Sequence, residues 1–180
     1  LFNGHFSSSI TVSSGVPQGS HLGPLLFVLF INDLPQAMLN SDILLFADDA
    51  KIYKQLNSPQ QCLELQEDFN NLSSWCFNND LSINISKCNV LSFCRKRSSI
   101  EFEYVLGNSV IKRVSEFCDL GVTFDNKMNF NRHVEIIKAR ASSRLGMIKR
   151  WSKEFNDPHV TKCLYVSLVR SILEYNSCVW

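Results

Sequence analysis

No apolar run in this sequence approaches the roughly twenty residues that a bilayer-crossing helix needs. The longest near the start, LLFVLFI at 25–31, has seven, so no membrane span is expected. There is no basic, apolar, small-residue leader either. The chain opens on Leu1 without a methionine and stops at Trp180 inside a stretch holding Leu173, Tyr175 and Val179; both ends look cut, and a fragment of a longer protein is expected. Its seven cysteines (Cys62, Cys76, Cys88, Cys94, Cys118, Cys163, Cys178) form no CxxC pair, and their number is odd. That pattern implies neither a zinc site nor a closed disulfide framework, but reduced, small apolar side chains in an intracellular protein. The phosphate-loop pattern GxxxxGK(S/T) is also missing, so no nucleoside triphosphatase is inferred. Finally, residues 1–32 contain no Asp or Glu at all.

What is present reads as foldable: 45% hydrophobic residues and 19% charged ones over 180 positions, enough for one domain with a core or for part of a larger one. The net charge of +1 hides an asymmetry. Residues 1–126 carry 8 Lys and Arg against 13 Asp and Glu, a balance of −5, and residues 127–180 carry 10 against 4, a balance of +6. A basic part of this kind suits a polyanion; a solvated helix face is the plainer explanation of charge alone.

The loop SGVPQGSHLGP, with three glycines and two prolines, stops a short Ser, Thr and Val-rich strand. Pro24 then suits a first helical turn, and LLFVLFINDL continues as a helix to Pro35, apolar on every side and so expected to be buried. Two short apolar strands, 43–47 and 50–53, are separated by Asp48-Asp49, a two-residue hairpin signal. Ser58-Pro59-Gln60-Gln61 has the residues of a helix start, followed by a stripe of Cys62, Leu65, Phe69, Leu72 and Cys76. LSINI, NVLSFC, EFEYVL, SVIKRV and FCDLGVTF read as strands. Helical period returns with Phe130, Val134, Ile137, Ala141, Leu145, Ile148, Trp151 and Phe155, and after Asp157-Pro158 with Val160, Leu164, Leu168, Ile172 and Tyr175. The order predicts an α+β body over residues 1–126 and a helical, basic part over 127–180.

Two stretches could carry chemistry. Asp48 and Asp49 are most simply a solvated turn. However, ILLF at 43–46 is apolar on both faces, so its strand is expected inside a covered sheet with the turn at a rim. Two carboxylates there repel each other and gain most from a divalent cation with a taste for hard oxygen, magnesium above all. In GVPQGS at 15–20, the glycines allow close approach of a ligand and Gln18 stands on a stiff loop; a plain turn is the rival explanation.

Taken together, SSGVPQGSHLGPLLFVLFINDLP followed by LLFADDAKIY resembles the reverse transcriptases, and closely those of non-LTR retrotransposons. The loop and helix correspond to that family's palm motif B and the aspartate hairpin to motif C, with Phe46-Ala47-Asp48-Asp49 in the non-LTR form. LSINISKCNVLSFCR resembles motif D, FCDLGVTFD the primer-grip region, and NFNRHVEIIKARASSRLGMIKR the thumb.

This resemblance implies a partial polymerase palm, an antiparallel sheet with helices, followed by an α-helical thumb. It implies template-directed addition of deoxynucleoside triphosphates to a DNA primer on an RNA template, with two Mg2+ ions about 4 Å apart. Asp48 would be the main metal ligand and Asp49 a secondary one. Gln18 and Gly19 would lie against the nascent base pair or template, Phe46 would support the hairpin, and Lys87 would stand near the departing pyrophosphate as a proton donor. Lys138, Arg140, Arg144, Lys149 and Arg150 would grip the duplex backbone. The family acts in the nucleus. Its metal site also needs a motif A aspartate upstream of motif B, which the acid-free stretch 1–32 does not hold; fingers and motif A are expected before Leu1, and the isolated chain is expected to be inactive. Two rivals are a non-catalytic nucleic-acid-binding relic, and a metal-dependent hydrolase that would need a third acidic or His ligand, His5, His21 or His133 being the histidines that could stand beside Asp48. These histidines read more simply as surface or loop residues.

Overall fold

The computed structural model describes residues 8, 11, 15–17, 19–94, 100–154 and 157–180. The chain mixes helices and strands in the α+β manner and divides into two compact units, Leu1–Ile83 with Val105–Gly107, and Asn84–Tyr104 with Asn108–Trp180. The strand expected ahead of the glycine-rich loop falls largely outside the described residues.

In the first unit, α1 runs over Leu22–Ile31, two residues ahead of Pro24, and is followed by a 3₁₀ turn, Leu34–Ala37. The hairpin of β1, Asp42–Phe46, and β2, Asp49–Tyr53, comes next, then the long helix α2, Pro59–Asn78. Pro59 opens α2 where its missing N–H costs nothing. Gln61 Oε1 accepts from the Asn57 amide at 2.6 Å, one residue earlier than a capping box would have it. The stripe on α2 is real: Cys62, Leu65 and Cys76 are buried. Asp68 is buried with them, which a purely apolar stripe does not anticipate. Phe30 of α1 reaches Trp75 of α2, ring centroids 5.8 Å apart.

Two expectations about this unit are corrected. Only Ile31 of α1 is buried, while Leu22, Leu25, Leu26, Val28 and Leu29 are 47–65% exposed. Likewise, among the described residues β1 pairs with β2 in a two-stranded sheet, not inside a covered one, and Leu44 and Phe46 are exposed. All-round apolarity signals what a helix or strand needs to bury, but the covering partner has to be supplied by other residues.

The second unit holds a 3₁₀ turn, Ile85–Lys87, and β3, Asn89–Leu91. The two-residue strand β4, Val105–Leu106, belongs to the first unit, where Gln66 of α2 donates to the Val105 carbonyl and accepts from its amide. Then follow β5, Ser109–Val110, β6, Lys112–Val114, β7, Glu116–Asp119, and β8, Val122–Asp125. LSINI does not form a strand; residues 81–84 are irregular and Ile85 opens the 3₁₀ turn. β3 and β6 pair in parallel, and β7 and β8 form an antiparallel hairpin. Leu120 and Gly121, at φ of +43° and +83°, make its two-residue turn, the double-positive geometry that matches strand twist. Gly121 is doubly required, since a Cβ there would come within 2.9 Å of Tyr175 Cε1.

Helix α3 spans Asn131–Trp151. Then α4, Pro158–Tyr165, a π turn, Val166–Arg170, and α5, Ser171–Glu174, run on as one helical stretch. Ser167 and Ser171 hydroxyls donate to the carbonyls of Cys163 and Ser167, a back-bonding that loosens the regular ladder. The π turn re-aims the expected stripe, so that Val169 is buried with Ala141 and Ile148 of α3, and Leu164, Leu168 and Ile172 pack around them. The cysteines are free thiols, with Cys62 and Cys76 buried; burial pushes the Cys76 and Cys88 thiols up.

Candidate active site

The β1–β2 register sets the aspartate geometry. Phe46 faces Asp49, and the two-residue turn between them is Ala47-Asp48 rather than Asp48-Asp49. The turn opens with Ala47 at φ +52°, a left-handed conformation that costs a non-glycine residue about 1–2 kcal/mol. One carboxylate thus stands in the turn and the other on the first residue of β2, both exposed. No described hydrogen bond or ion pair engages either. Phe46, 62% exposed, flanks them.

Hard-oxygen donors at adjacent positions, open to solvent, fit part of the shell of a divalent cation. Among the described residues no group of three or more His, Cys, Asp or Glu side chains could complete one. The same finding removes the support that the hydrolase reading asked for at His21; His5 lies outside the described residues.

In the loop before α1, the Ser20 amide donates to the Pro17 carbonyl at 3.1 Å, closing a turn. Gly19 holds φ +82° at its third position, and among the described residues nothing lies within 4 Å of where its Cβ would be, so they leave its backbone open to a close neighbour. Gln18 lies outside the described residues. Lys87 is an exposed residue of the second unit, at the end of the 3₁₀ turn, with its carbonyl accepting from Asn89 Nδ2. Lys138, Arg140, Arg144, Lys149 and Arg150 are all exposed on α3. At ~100° per residue, Lys138 and Lys149 fall on one flank of the buried stripe and Arg140 on the other, Arg144 projects within the arc of the buried residues between His133 and Ile137, and Arg150 lies opposite it.

His133 corrects the sequence reading. It is no surface residue but 2% exposed in the first turn of α3. Its Nδ1 accepts from the Thr123 amide of β8 at 3.3 Å, its ring meets Trp180 edge-on at 5.1 Å, and Nε2 is buried without a hydrogen-bond partner among the described residues. Burial, reinforced by the positive Arg140, holds its pKa below the ordinary imidazole value. Asp68 is the other residue missed, 0% exposed and bonded to the segment leading into β1.

Residues 1–124 match the family model described as reverse transcriptase (RNA-dependent DNA polymerase), and the chain belongs to that family, a family of nucleotidyltransferases. Its place within the family is the non-LTR kind, as its relatives indicate. The RNA-directed DNA polymerase from mobile element jockey of Drosophila melanogaster is 31% identical over 144 residues, 76% of this chain and 16% of the relative. The probable RNA-directed DNA polymerase from transposon X-element of the same species is 30% identical over 149 residues, 80% of this chain and 16% of the relative. That from transposon BS, also of Drosophila melanogaster, is 29% identical and covers 97% of this chain and 20% of the relative. The chain therefore spans 16–20% of the length of these curated relatives. No solved structure matches it. No described helix is long and apolar enough to cross a membrane.

Proposed function

We propose that this chain supplies the aspartate turn of an RNA-directed DNA polymerase, with residues 1–126 as part of its palm and 127–180 as part of its thumb. The observation that carries this reading is the exposed Asp48-Asp49 pair at the tip of a tight hairpin in a chain whose first 124 residues match the reverse transcriptase family.

In this reading Asp48, with Asp49 beside it, holds Mg2+, two ions in the complete enzyme. When bound, the ions acidify the primer hydroxyl and offset charge on the attacking and leaving oxygens. The primer 3′-oxygen bonds to the α-phosphorus of a deoxynucleoside triphosphate, the bond to the bridging oxygen breaks, the hydroxyl proton leaves and pyrophosphate departs. Gln18 and Gly19 lie against the nascent base pair or template, where the uncrowded Gly19 backbone permits close approach. Phe46 flanks the carboxylates, and Lys87 gives a proton to the pyrophosphate. Cations of α3 hold the template–primer phosphates in a sequence-independent, salt-sensitive way. The remaining carboxylate and the fingers come from elsewhere in the polypeptide, because residues 1–32 hold no acid. Its site of action is the nucleus.

Primer extension with Mg2+ on an RNA template tests this. The complete polypeptide is expected to extend the primer and the isolated 180-residue chain to give no template-dependent product. Robust synthesis by the isolated chain would overturn the shared-site reading, and none by the complete polypeptide would overturn the activity.

A further inference from the structure

Asp48 and Asp49 are carried by the β1–β2 hairpin. It is a two-stranded sheet, and β1 has β2 as its neighbour. Its base is bonded to α2 at both feet. At the β1 foot, Asp68 accepts from four neutral donors. Oδ1 takes the Leu39 amide at 2.9 Å and Asn40 Nδ2 at 3.4 Å, and Oδ2 takes the Asn40 amide at 2.9 Å and the Ser41 hydroxyl at 2.5 Å. Ser41 immediately precedes β1. At the β2 foot, Lys54, the residue after β2, pairs with the Glu64 carboxylate. Asp42 faces Tyr53 in the register, so Ser41 and Lys54 are the next rung below, outside the ladder.

Glu64 and Asp68 are four apart on one helix, hence neighbours on one face. They hold the two ends of the hairpin's base from a 20-residue helix, the stiffest element of this unit. Asp68 is 0% exposed, and a buried carboxylate is retained only where its hydrogen-bond capacity is met. Here it is met wholly by one three-residue segment. Since β1 is five residues long, at ~3.3 Å each a tilt at its foot is carried to a turn about 16 Å away.

We propose that Asp68 and Glu64 form a two-footed clamp that positions the Asp48-Asp49 turn, making them positioning residues for metal binding rather than catalytic ones. This rests on the reading of that turn as the metal site. Its test has two arms, with Ser41→Ala and Glu64→Gln as mild variants and Asp68→Asn as the severe one. In amide hydrogen exchange on the chain, the mild variants should speed exchange in residues 42–53 by about tenfold while α2 amides keep their protection. In the complete polypeptide, they should raise the Mg2+ concentration for half-maximal primer extension several-fold and lower kcat, with template–primer affinity unchanged. Lys54→Arg, which keeps the pair with Glu64, should behave as wild type, and Lys54→Met as Glu64→Gln. Unchanged hairpin exchange, or equal loss of protection in α2, would overturn the clamp, as would wild-type Mg2+ dependence in an active enzyme. If the unsubstituted polypeptide fails to extend primers, the polymerase reading falls, and the exchange arm alone decides the clamp.

Discussion

His133 is a neutral imidazole held as a hydrogen-bond acceptor, and that fixes how it responds to acid. With Nδ1 taking the Thr123 amide proton, a second ring proton has no place without breaking the link between β8 and α3. Its folded pKa lies below the ordinary value of about 6.5, so between the two the unfolded chain binds more protons. Stability is complete above about pH 6.5 and declines as pH falls through that window. Urea denaturation at pH 7 and pH 5 should show this decline, and His133→Gln, whose side-chain oxygen can accept the same amide, should flatten it; a loss that persists in the variant would place the titrating group elsewhere. Asp68 works in a lower window. Desolvation raises its pKa, but the bonds from Ser41, Leu39 and Asn40 outweigh that and hold it below the ordinary carboxylate range. Its contribution is lost only as pH falls below about 3.9. Neither residue was legible to a stripe read from apolar types alone, although Asp68 sits three residues after Leu65 and His133 four before Ile137, both on the buried faces. A polar residue in phase with an apolar stripe is the signal that would have found them.

Elements were more legible than their surroundings. Proline and spacing located α2, α3 and α4 to within a few residues. The hairpin was legible too, but its turn lies one residue earlier, because Ala47 adopts the left-handed conformation that sequence preference assigns to Asp, Asn or Gly. Ala47→Gly should therefore not destabilise the chain despite glycine's added unfolded freedom, whereas a β-branched Ala47→Val should cost about 1–2 kcal/mol; thermal denaturation of the two variants against wild type decides. On α3 Lys138 and Lys149 lie on one flank of the buried stripe, Arg140 and Arg144 toward its other side and Arg150 opposite it, so the two pairs can be tested separately. Replacing the flank pair that faces the duplex, either Lys138 and Lys149 or Arg140 and Arg144, by glutamine should lower the slope of log K against log salt by about 2 for an RNA–DNA hybrid. The other pair should leave it nearly unchanged; equal small effects from both would count against a backbone-gripping helix.

At the scale of the whole molecule, the α+β class and the family were open to reading because the GVPQGS loop, the FADD turn and the basic helix occur in order, and the family match covers the first two. Burial was not open to reading. The exposed leucines of α1 and the exposed Leu44 and Phe46 of β1 are left uncovered by the described residues, and an apolar pattern states a need without naming what meets it. Exposed apolar side chains grouped on one helix favour association, so the isolated chain should bind a hydrophobic dye and associate at micromolar concentration, and Leu25→Glu with Leu29→Glu should reduce both. The central claim is that Asp48 holds the metal for nucleotidyl transfer. Single-nucleotide incorporation by the complete polypeptide with saturating Mg2+ and primed RNA template tests it most directly. Asp48→Asn, an isosteric change at an exposed turn, should lower the rate by about a thousandfold or more, roughly 4 kcal/mol, with melting temperature unchanged; a rate within about threefold of wild type would contradict the account.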